Sequence, residues 1–398
     1  MDAHSAKALR QEAVTRYLGG ESATEICRSL GKTRQWLYKW LQRQEELGQD
    51  ASPKRAHNRT PVEIENAIIE ARKKLEKTKY AQIGVNAINR QLYRQGISPV
   101  PAATVKRILK RAGLVRERLP YVPKGTPYPK MPALCANNIH QADLVGPRYI
   151  KGDGSFYSLN VMDIATHRIK LNPSRRKTDE NMAEGLINTW RKLGMPDFLQ
   201  MDNELCFRGS NRYPHSLGLV LRLCLSLNIQ PIFIPQGEPW RNGEIENFQD
   251  TFDKNFFRVQ TFSSFHDLCL EAPHFEDYHN QYYIYSCLNG KTPERALQED
   301  IIDIQLLPQS FQLPEEKIPL EDGYIHLIRF IRSDRKLDVF GEKFIVPKDL
   351  VYEYVKATIC TDCHMLQVRH NDQLVTTFTY PLPTDVEEVS TIAEPNED

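Results

Sequence analysis

Three acidic residues stand where a strand or helix edge could aim them at one point: Asp143 in IHQADLVGPRYI, Asp202 in FLQMDNELCFRG and Glu246 in PWRNGEIENFQDTF. Oxygen-only ligand sets select hard cations, so carboxylates gathered in this way would hold Mg²⁺ (or Mn²⁺). Two such ions on shared carboxylates can activate a water or sugar hydroxyl and stabilise the leaving oxygen of a phosphodiester. The chain has 51 acidic residues, and most carboxylates are simply solvated, so it is the setting that sets these three apart. Asp143 belongs to the alternating run Ile139, Gln141, Asp143, Val145, and Asp202 ends the short apolar stretch Phe198 to Met201. Glu246 lies just inside a helix announced by the breakers Pro239, Trp240, Arg241, Asn242 and Gly243. Two strand ends and a helix are how an α/β sheet converges side chains on one edge.

The neighbouring acids fit less well. Glu244, two residues before Glu246, points well away from it on a helix. Glu238 precedes the helix, and Asp250 lies one turn beyond Glu246 on the same face. Asp163, in YSLNVMDIATHRIK, is either a turn residue or an acid near the metals, and both readings stand.

The elements upstream would have to bring a substrate to this site. A chain of 398 residues predicts two to four domains. Its net charge of +1 hides a division: residues 1–130 hold 26 Lys/Arg against 12 Asp/Glu, a balance of +14, which leaves −13 for the remainder. A basic front half suits DNA, and on charge alone it suits RNA or anionic lipid nearly as well. Helical patterning narrows the choice. Residues 1–50 read as three helices, through Leu9, Ala13 and Tyr17, from Ser22 to Leu30, and from Thr33 onward, with Gly31 turning the last two. In the third, Leu37, Trp40 and Leu41 form the buried stripe, which leaves Arg34, Gln35, Tyr38 and Lys39 outside. That is the layout of a helix-turn-helix presenting a recognition helix to a major groove, and a plain three-helix bundle is the bland alternative. A second such unit spans 61–114, with Thr104, Lys106, Arg107, Lys110 and Arg111 on the outer face of its last helix.

The segments QAD, MDN followed by Phe207, and NGEIEN followed by Phe248 resemble the three signatures of retroviral-integrase-like transposases with an Asp, Asp, Glu triad. Within that group the chain is most similar to bacterial insertion-sequence transposases. The run YHNQYYIYSCLNGKTPERAL, residues 278–297, adds Asn280, Leu288, Gly290, Thr292 and Pro293 in matching places. TVKRILKRAGLV looks like the family's corresponding DNA-reading helix. The resemblance covers roughly residues 61–380 and is strongest from 139 to 297. It implies that Asp143 bridges two metal ions, with Asp202 on one and Glu246 on the other. It also implies 3′-end cleavage at the ends of a mobile element, followed by strand transfer into target DNA. The expected partners are double-stranded DNA, as transposon ends and target, and further copies of the chain in a DNA-induced homo-oligomer; a helper ATPase is possible and not indicated. Trp240, Arg241 and Asn242 are candidate DNA contacts beside the metals. Two points depart from the family: Glu204 stands where Gly usually follows the Asp-Asn pair, and the 44 residues from Asp202 to Glu246 exceed the usual spacing. The surplus falls in the turn-rich stretch Arg208 to His215, which a surface loop absorbs cheaply.

The expected architecture is therefore multidomain: all-α helix-turn-helix domains, a central α/β ribonuclease-H-like catalytic domain at 137–300, and a small β-barrel at 320–382. Strands are expected near 139–145, 156–163, 167–171, 198–201 and 229–234, with helices near 178–193 and 216–227. A Pro-rich linker at 115–136 carries Arg116, Arg118, Lys124 and Lys130, and 383–398 holds six acids and no base, as a disordered tail does. Arg329, Arg332, Arg335 and Lys336 read as a solvated face that could touch DNA. Eight scattered cysteines and the lack of a secretory signal suggest a reduced cytoplasmic setting, and no apolar run is long enough to cross a membrane. Only Cys360-Thr361-Asp362-Cys363-His364 has ligand-like spacing; it reads as a structural pair or, less readily, as a zinc site. Two other functions use the same parts: a DNA-binding regulator with an inactive integrase domain, and a ribonuclease-H-type nuclease.

Overall fold

The computed structural model describes residues 3–43, 60–115, 128–129, 131, 133–210, 215–300 and 302–383. Most of the Pro-rich linker, with Arg116, Arg118, Lys124 and Lys130, and the acidic tail lie outside the described residues. The chain forms two compact units, Met1–Glu65 and Asn66–Asp398.

In the first unit, helices α1 (Ala3–Leu18), α2 (Ala23–Leu30) and α3 (Arg34–Leu41) enclose Ala13, Ile26, Cys27 and Leu37. Ser22 and Thr33 cap α2 and α3 by accepting from the amides of Glu25 and Trp36. Between those helices Gly31 has φ +64°, a left-handed turn that glycine takes without a Cβ penalty. Arg34, Gln35, Tyr38 and Lys39 all lie exposed on the outer side of α3.

The second unit begins with helices α4 (Val62–Lys77), α5 (Val85–Arg94) and α6 (Ala102–Arg111), α4 starting just before the unit boundary. Lys106, Arg107, Lys110 and Arg111 are exposed on α6, and Thr104 is half-buried. Then comes the sheet, built from β1 (Ile139–Ile150), β2 (Gly154–Asp163), β3 (Ile169–Ser174), β4 (Phe198–Met201) and β5 (Gln230–Phe233). The antiparallel β1–β2–β3 meander precedes parallel β4 and β5, in spatial order 3-2-1-4-5. Helix α7 (Asp179–Leu193) connects β3 to β4, and α8 (Leu205–Arg208) and α9 (Leu219–Ser226) connect β4 to β5. This is the ribonuclease-H-like order.

Strand alternation divides the core into two layers. Ala142, Leu159, Val161, Leu199 and Met201 face α7 and α9. Val145, Phe156, Met162, Ile169 and Leu171 face the opposite layer, made by α10 (Gly243–Phe252) and α11 (Phe265–Tyr282). Edge strand β3 is covered rather than left open. Asn280 accepts from Ile169 N and donates to Ile169 O, and Glu276 accepts from Leu171 N at 2.8 Å while paired with Lys170 and Lys192. Beyond α11, Gly290 takes φ +80°, and Thr292 caps the short α12 (Pro293–Gln298), so the 278–297 run has a structural reason for most of its marked residues.

The second helical group does not stand apart from the α/β layers. Tyr80 inserts among Phe256, Phe275 and Tyr278, Gln82 bonds both polar backbone groups of Ile284, and Lys79 pairs with Glu271.

The barrel expected at 320–382 is corrected. Strands β6 (Tyr324–Phe330), β9 (Tyr354–Cys360), β10 (Met365–His370) and β11 (Gln373–Thr379) extend the central sheet from β5, giving nine strands in one open sheet. Both edges of β6 are occupied, by β5 and β9, so it cannot close onto β11. The hairpin β7 (Lys336–Val339) and β8 (Glu342–Ile345) forms no ladder with the sheet and packs over it through Phe344 on Phe378 and Tyr380.

Among the described residues, His140, His279 and His326 are buried as neutral hydrogen-bonding groups. His326 lies between Thr358 Oγ1 and Gln230 Oε1, both at 2.9 Å, and burial lowers its pKa to about 4. His140 and His279 are pushed down to about 3 by the same cause. An unfolded histidine titrates near 6.5, so between about pH 6.5 and 4 the unfolded chain binds a proton that folded His326 refuses, and stability falls as pH falls. Each such residue costs about 2 kcal/mol by pH 5. His326→Gln keeps a polar partner for Thr358 and Gln230, and urea unfolding at pH 7 and pH 5 should show a smaller loss of stability than wild type. An unchanged pH dependence would refute this account.

Candidate active site

The polar residues flanking the acids are as ordered as the acids themselves. β1 and β4 run parallel, with Gln141 opposite Gln200. Two residues farther on, Asp143 lies on β1 and Asp202 just past the end of β4, and alternation puts Asp143 on the same face as Gln141. That face is the one on which α10 begins. Gln141 Oε1 accepts from Ile245 N at 3.1 Å, capping the helix start, and Gln200 Nε2 donates to Asn242 Oδ1 at 3.0 Å and to Arg241 O at 3.2 Å. Asn242 in turn donates to Ala142 O at 3.0 Å. The entry of α10 is thus fixed to the strands that carry both aspartates.

Along α10, Ile245, Phe248 and Phe252 fill the core, leaving Glu246 half-buried and turned toward Asp143; burial and then the Asp143 charge raise its pKa. Glu244 is exposed and instead acts on His167, Tyr285 and Cys287. Asp250 pairs with Lys254 at 2.5 Å. Gln249, one turn after Glu246, donates to Asp143 Oδ2 at 2.8 Å and accepts from Asn160 Nδ2, which Ser158 supports.

Electrostatically the site is short of positive charge. Burial raises Asp143 above the usual carboxylate range, and burial lifts Asp202 to about 6, with Glu204 and Asp143 adding to it. Among the described residues no Lys or Arg forms an ion pair with Asp143, Asp202 or Glu246. Lys177 is the near cation, held by Glu204 at 3.0 Å. An electron-rich, partly dry group of oxygen ligands fits a hard divalent cation. The three carboxylates do not all come within 4.8 Å of one another; among the described residues only Cys360, Asp362 and Cys363 do.

Both departures noted in the sequence have benign geometry. Glu204 has φ −60° and ψ 143°, which any residue adopts, and its amide donates to Asp202 Oδ1. The surplus loop, whose residues 211–214 lie outside the described set, leaves and returns at one point, because Gly209 and Gly218 meet so closely that a Cβ on either would lie 2.7 Å from the other's backbone.

Several expectations are corrected. Asn242 is only 2 % exposed and works as the clamp described above, so it has no surface to offer DNA. Arg241 is packed against the rings of Tyr128 and Tyr354 and paired with Glu238 at 2.9 Å, so its donors are engaged within the protein. Trp240 alone of that trio is exposed. Asp163 is buried as a turn residue, accepting from Asn137 N, Ala165 N and the Thr166 hydroxyl. Arg329 does not face solvent: it is buried, bonding Ile234 O, Asp338 O and Asn203 Oδ1, and so buttresses the residue next to Asp202. Gln141, Gln200, Gln249 and Asn160 went unmarked in the sequence, although Gln-x-Asp occurs twice, at 141–143 and 200–202.

Residues 5–53 match the homeodomain-like domain family. Among solved structures, the chain is similar to the catalytic core domain of HTLV-2 integrase in complex with magnesium, at 18 % identity and TM-score 0.30, covering 42 % of this chain and 99 % of that one. It is also similar to a simian T-cell lymphotropic virus intasome bound to the PP2A regulatory subunit B56 gamma, at 15 % identity and TM-score 0.35, over 68 % and 84 % of the two chains. The catalytic core of BIV integrase matches at 15 % identity and TM-score 0.31, over 41 % of this chain and 95 % of that one.

Proposed function

We propose that this chain is a DNA transposase or integrase that binds the ends of a mobile element, cleaves at their 3′ ends and joins them to target DNA. The observation that carries the reading is the pairing of Gln141 with Gln200 on neighbouring parallel strands, which brings Asp143 on β1 and Asp202 just past β4 to the edge where the start of the Glu246 helix is fixed. Asp143, Asp202 and Glu246 are the residues that would hold Mg²⁺ (or Mn²⁺), two ions in all, which when bound supply activation of the attacking oxygen and stabilisation of the leaving one. The chain's own part is positional. Gln249 orients one oxygen of Asp143, and the amide of Glu204 orients one of Asp202. Substrate is delivered by the exposed faces of α3 and α6, where Arg34, Gln35, Tyr38, Lys39, Lys106, Arg107 and Lys110 contact the duplex, with Thr104 at the margin. Joining two ends to one target calls for more than one copy of the chain on DNA.

Incubation with a terminal-repeat duplex, supercoiled target and Mg²⁺ should yield joined products. Asp143→Ala, Asp202→Ala and Glu246→Ala should each reduce them about 100-fold or more, since a lost metal ligand forfeits several kcal/mol of transition-state stabilisation. Binding without cleavage would favour a regulator, and nicking without joining a nuclease; either result defeats the proposal.

Asn242→Ala removes the donor to Ala142 O and the acceptor for Gln200, both in a buried setting. It should destabilise the protein by about 1–3 kcal/mol in urea titrations and depress joining while leaving end binding intact. Wild-type stability in this variant would show that the clamp is dispensable.

Arg34→Ala with Lys39→Ala should weaken binding at all sequences and flatten the salt dependence, by about 0.9 in the log–log slope for each phosphate left without its cation. An unaltered slope in filter-binding or anisotropy titrations would remove α3 from the interface.

A further inference from the structure

The turn between β9 and β10 holds a cluster that DNA chemistry leaves unused. Cys360 Sγ, a carboxylate oxygen of Asp362 and Cys363 Sγ all lie within 4.8 Å of one another. Cys360 ends β9 and is 4 % exposed, whereas Asp362 and Cys363 are at the surface. Asp362 Oδ1 stands between the two cysteines, accepting from Cys360 Sγ and from Cys363 N, both at 2.6 Å.

The turn is held from both sides. Thr361 N donates to Gly323 O at 3.0 Å, and Thr361 Oγ1 accepts from Gly323 N at 2.7 Å. On the other side Tyr380 N donates to His364 O, and Leu382 N donates to His364 Nδ1 at 3.1 Å. A ring nitrogen that accepts a backbone proton leaves the proton on Nε2, so His364 in this state has no lone pair for a metal. The donor set is therefore two sulfurs and one carboxylate on a braced turn, with a fourth position open to solvent.

Zinc–sulfur bonds of about 2.3 Å and zinc–oxygen bonds of about 2.0–2.2 Å put tetrahedral ligands roughly 3.3–3.8 Å apart, so small closing movements would suffice. Thiolates favour a soft or borderline ion over Mg²⁺. A disulfide would use the two sulfurs and leave Asp362 without a part, whereas a dication uses all three donors and offsets most of their charge. We propose that Cys360, Asp362 and Cys363 bind Zn²⁺, with a solvent molecule as fourth ligand, and so staple the β9–β10 turn. This site is independent of the Asp143, Asp202 and Glu246 reading and survives its failure.

The test uses the full chain, reduced and stripped of metal, titrated with Co²⁺ as a visible stand-in and then with Zn²⁺. Near-ultraviolet thiolate-to-metal absorption that saturates at one thiolate-bound Co²⁺ per chain, and is displaced by Zn²⁺, is expected. Cys363→Ser, at an exposed position, should abolish the absorption while circular dichroism stays unchanged, and Asp143→Asn should leave it intact. Loss of even a supporting group costs about 10–100-fold in metal affinity, so Asp362→Asn should lose at least that much. The proposal is overturned if no thiolate absorption develops, if it persists in Cys363→Ser, or if mass spectrometry of protein purified without reductant finds Cys360 and Cys363 joined as a disulfide.

Discussion

The docking of the α10 start onto the paired strands β1 and β4 is the constraint on which the rest of the candidate site depends. Neither strand end nor helix start is fixed by apolar packing alone, since Ile245 and Phe248 could slide within a greasy layer. The amides of Gln141, Gln200 and Asn242 remove that freedom, because each finds its partner in only one register. Slip the strands by one residue and both aspartates would face the α7 and α9 layer, among leucines. One polar network thus decides the face on which the carboxylates emerge and the place from which Glu246 approaches them.

Charge at this site is treated differently than at Glu276 and Asp253. Buried Glu276 has Lys170 and Lys192 at 2.8 and 3.1 Å, and Asp253 has Arg148 and Arg258 at 3.0 Å. Asp143 and Asp202 have amide donors in place of cations, and burial holds both above the ordinary carboxylate range. Isolated buried acids are costly, and Asp163, held likewise by amides and a hydroxyl with no ion pair, shows that the fold also tolerates one away from this site. What supports the metal reading is the oxygen-only character of Asp143, Asp202 and Glu246.

Much of this was legible in the sequence, and for a physical reason: strand alternation and helix breakers are local signals. The run from Ile139 to Val145, the apolar stretch before Asp202 and the breakers before Glu246 each announce an element without reference to the rest of the chain. Helical periodicity separates Glu246 from Glu244, and the preference for Glu246 rests on the Gly-x-x-Glu register shared with the family the chain resembles. What could not be read was partnership across the fold. Asn242 and Arg241 look like surface residues in a Pro-Trp-Arg-Asn-Gly turn, and only the tertiary structure reveals Ala142 O, Tyr128 and Tyr354 as their partners. The two glutamines were within reach, since Gln-x-Asp repeats at both strand ends and period two puts each glutamine on the face of its aspartate.

The C-terminal strands illustrate the same limit from the other side. Five short β runs with a hairpin signal at Asn371-Asp372 are equally good material for a closed barrel and for an extension of a neighbouring sheet, because local pattern does not say which edge is free. Parallel β5 would otherwise end the central sheet with an open row of amides and carbonyls, a surface that proteins cover or pair. Pairing β6 there satisfies that edge, and it brings Arg329 to Asn203, the residue beside Asp202. The extension therefore does two jobs at once: it pairs the β5 edge, moving the open edge of the sheet out to β11, and it anchors the turn from which the second aspartate projects. A separate barrel would have left both jobs undone.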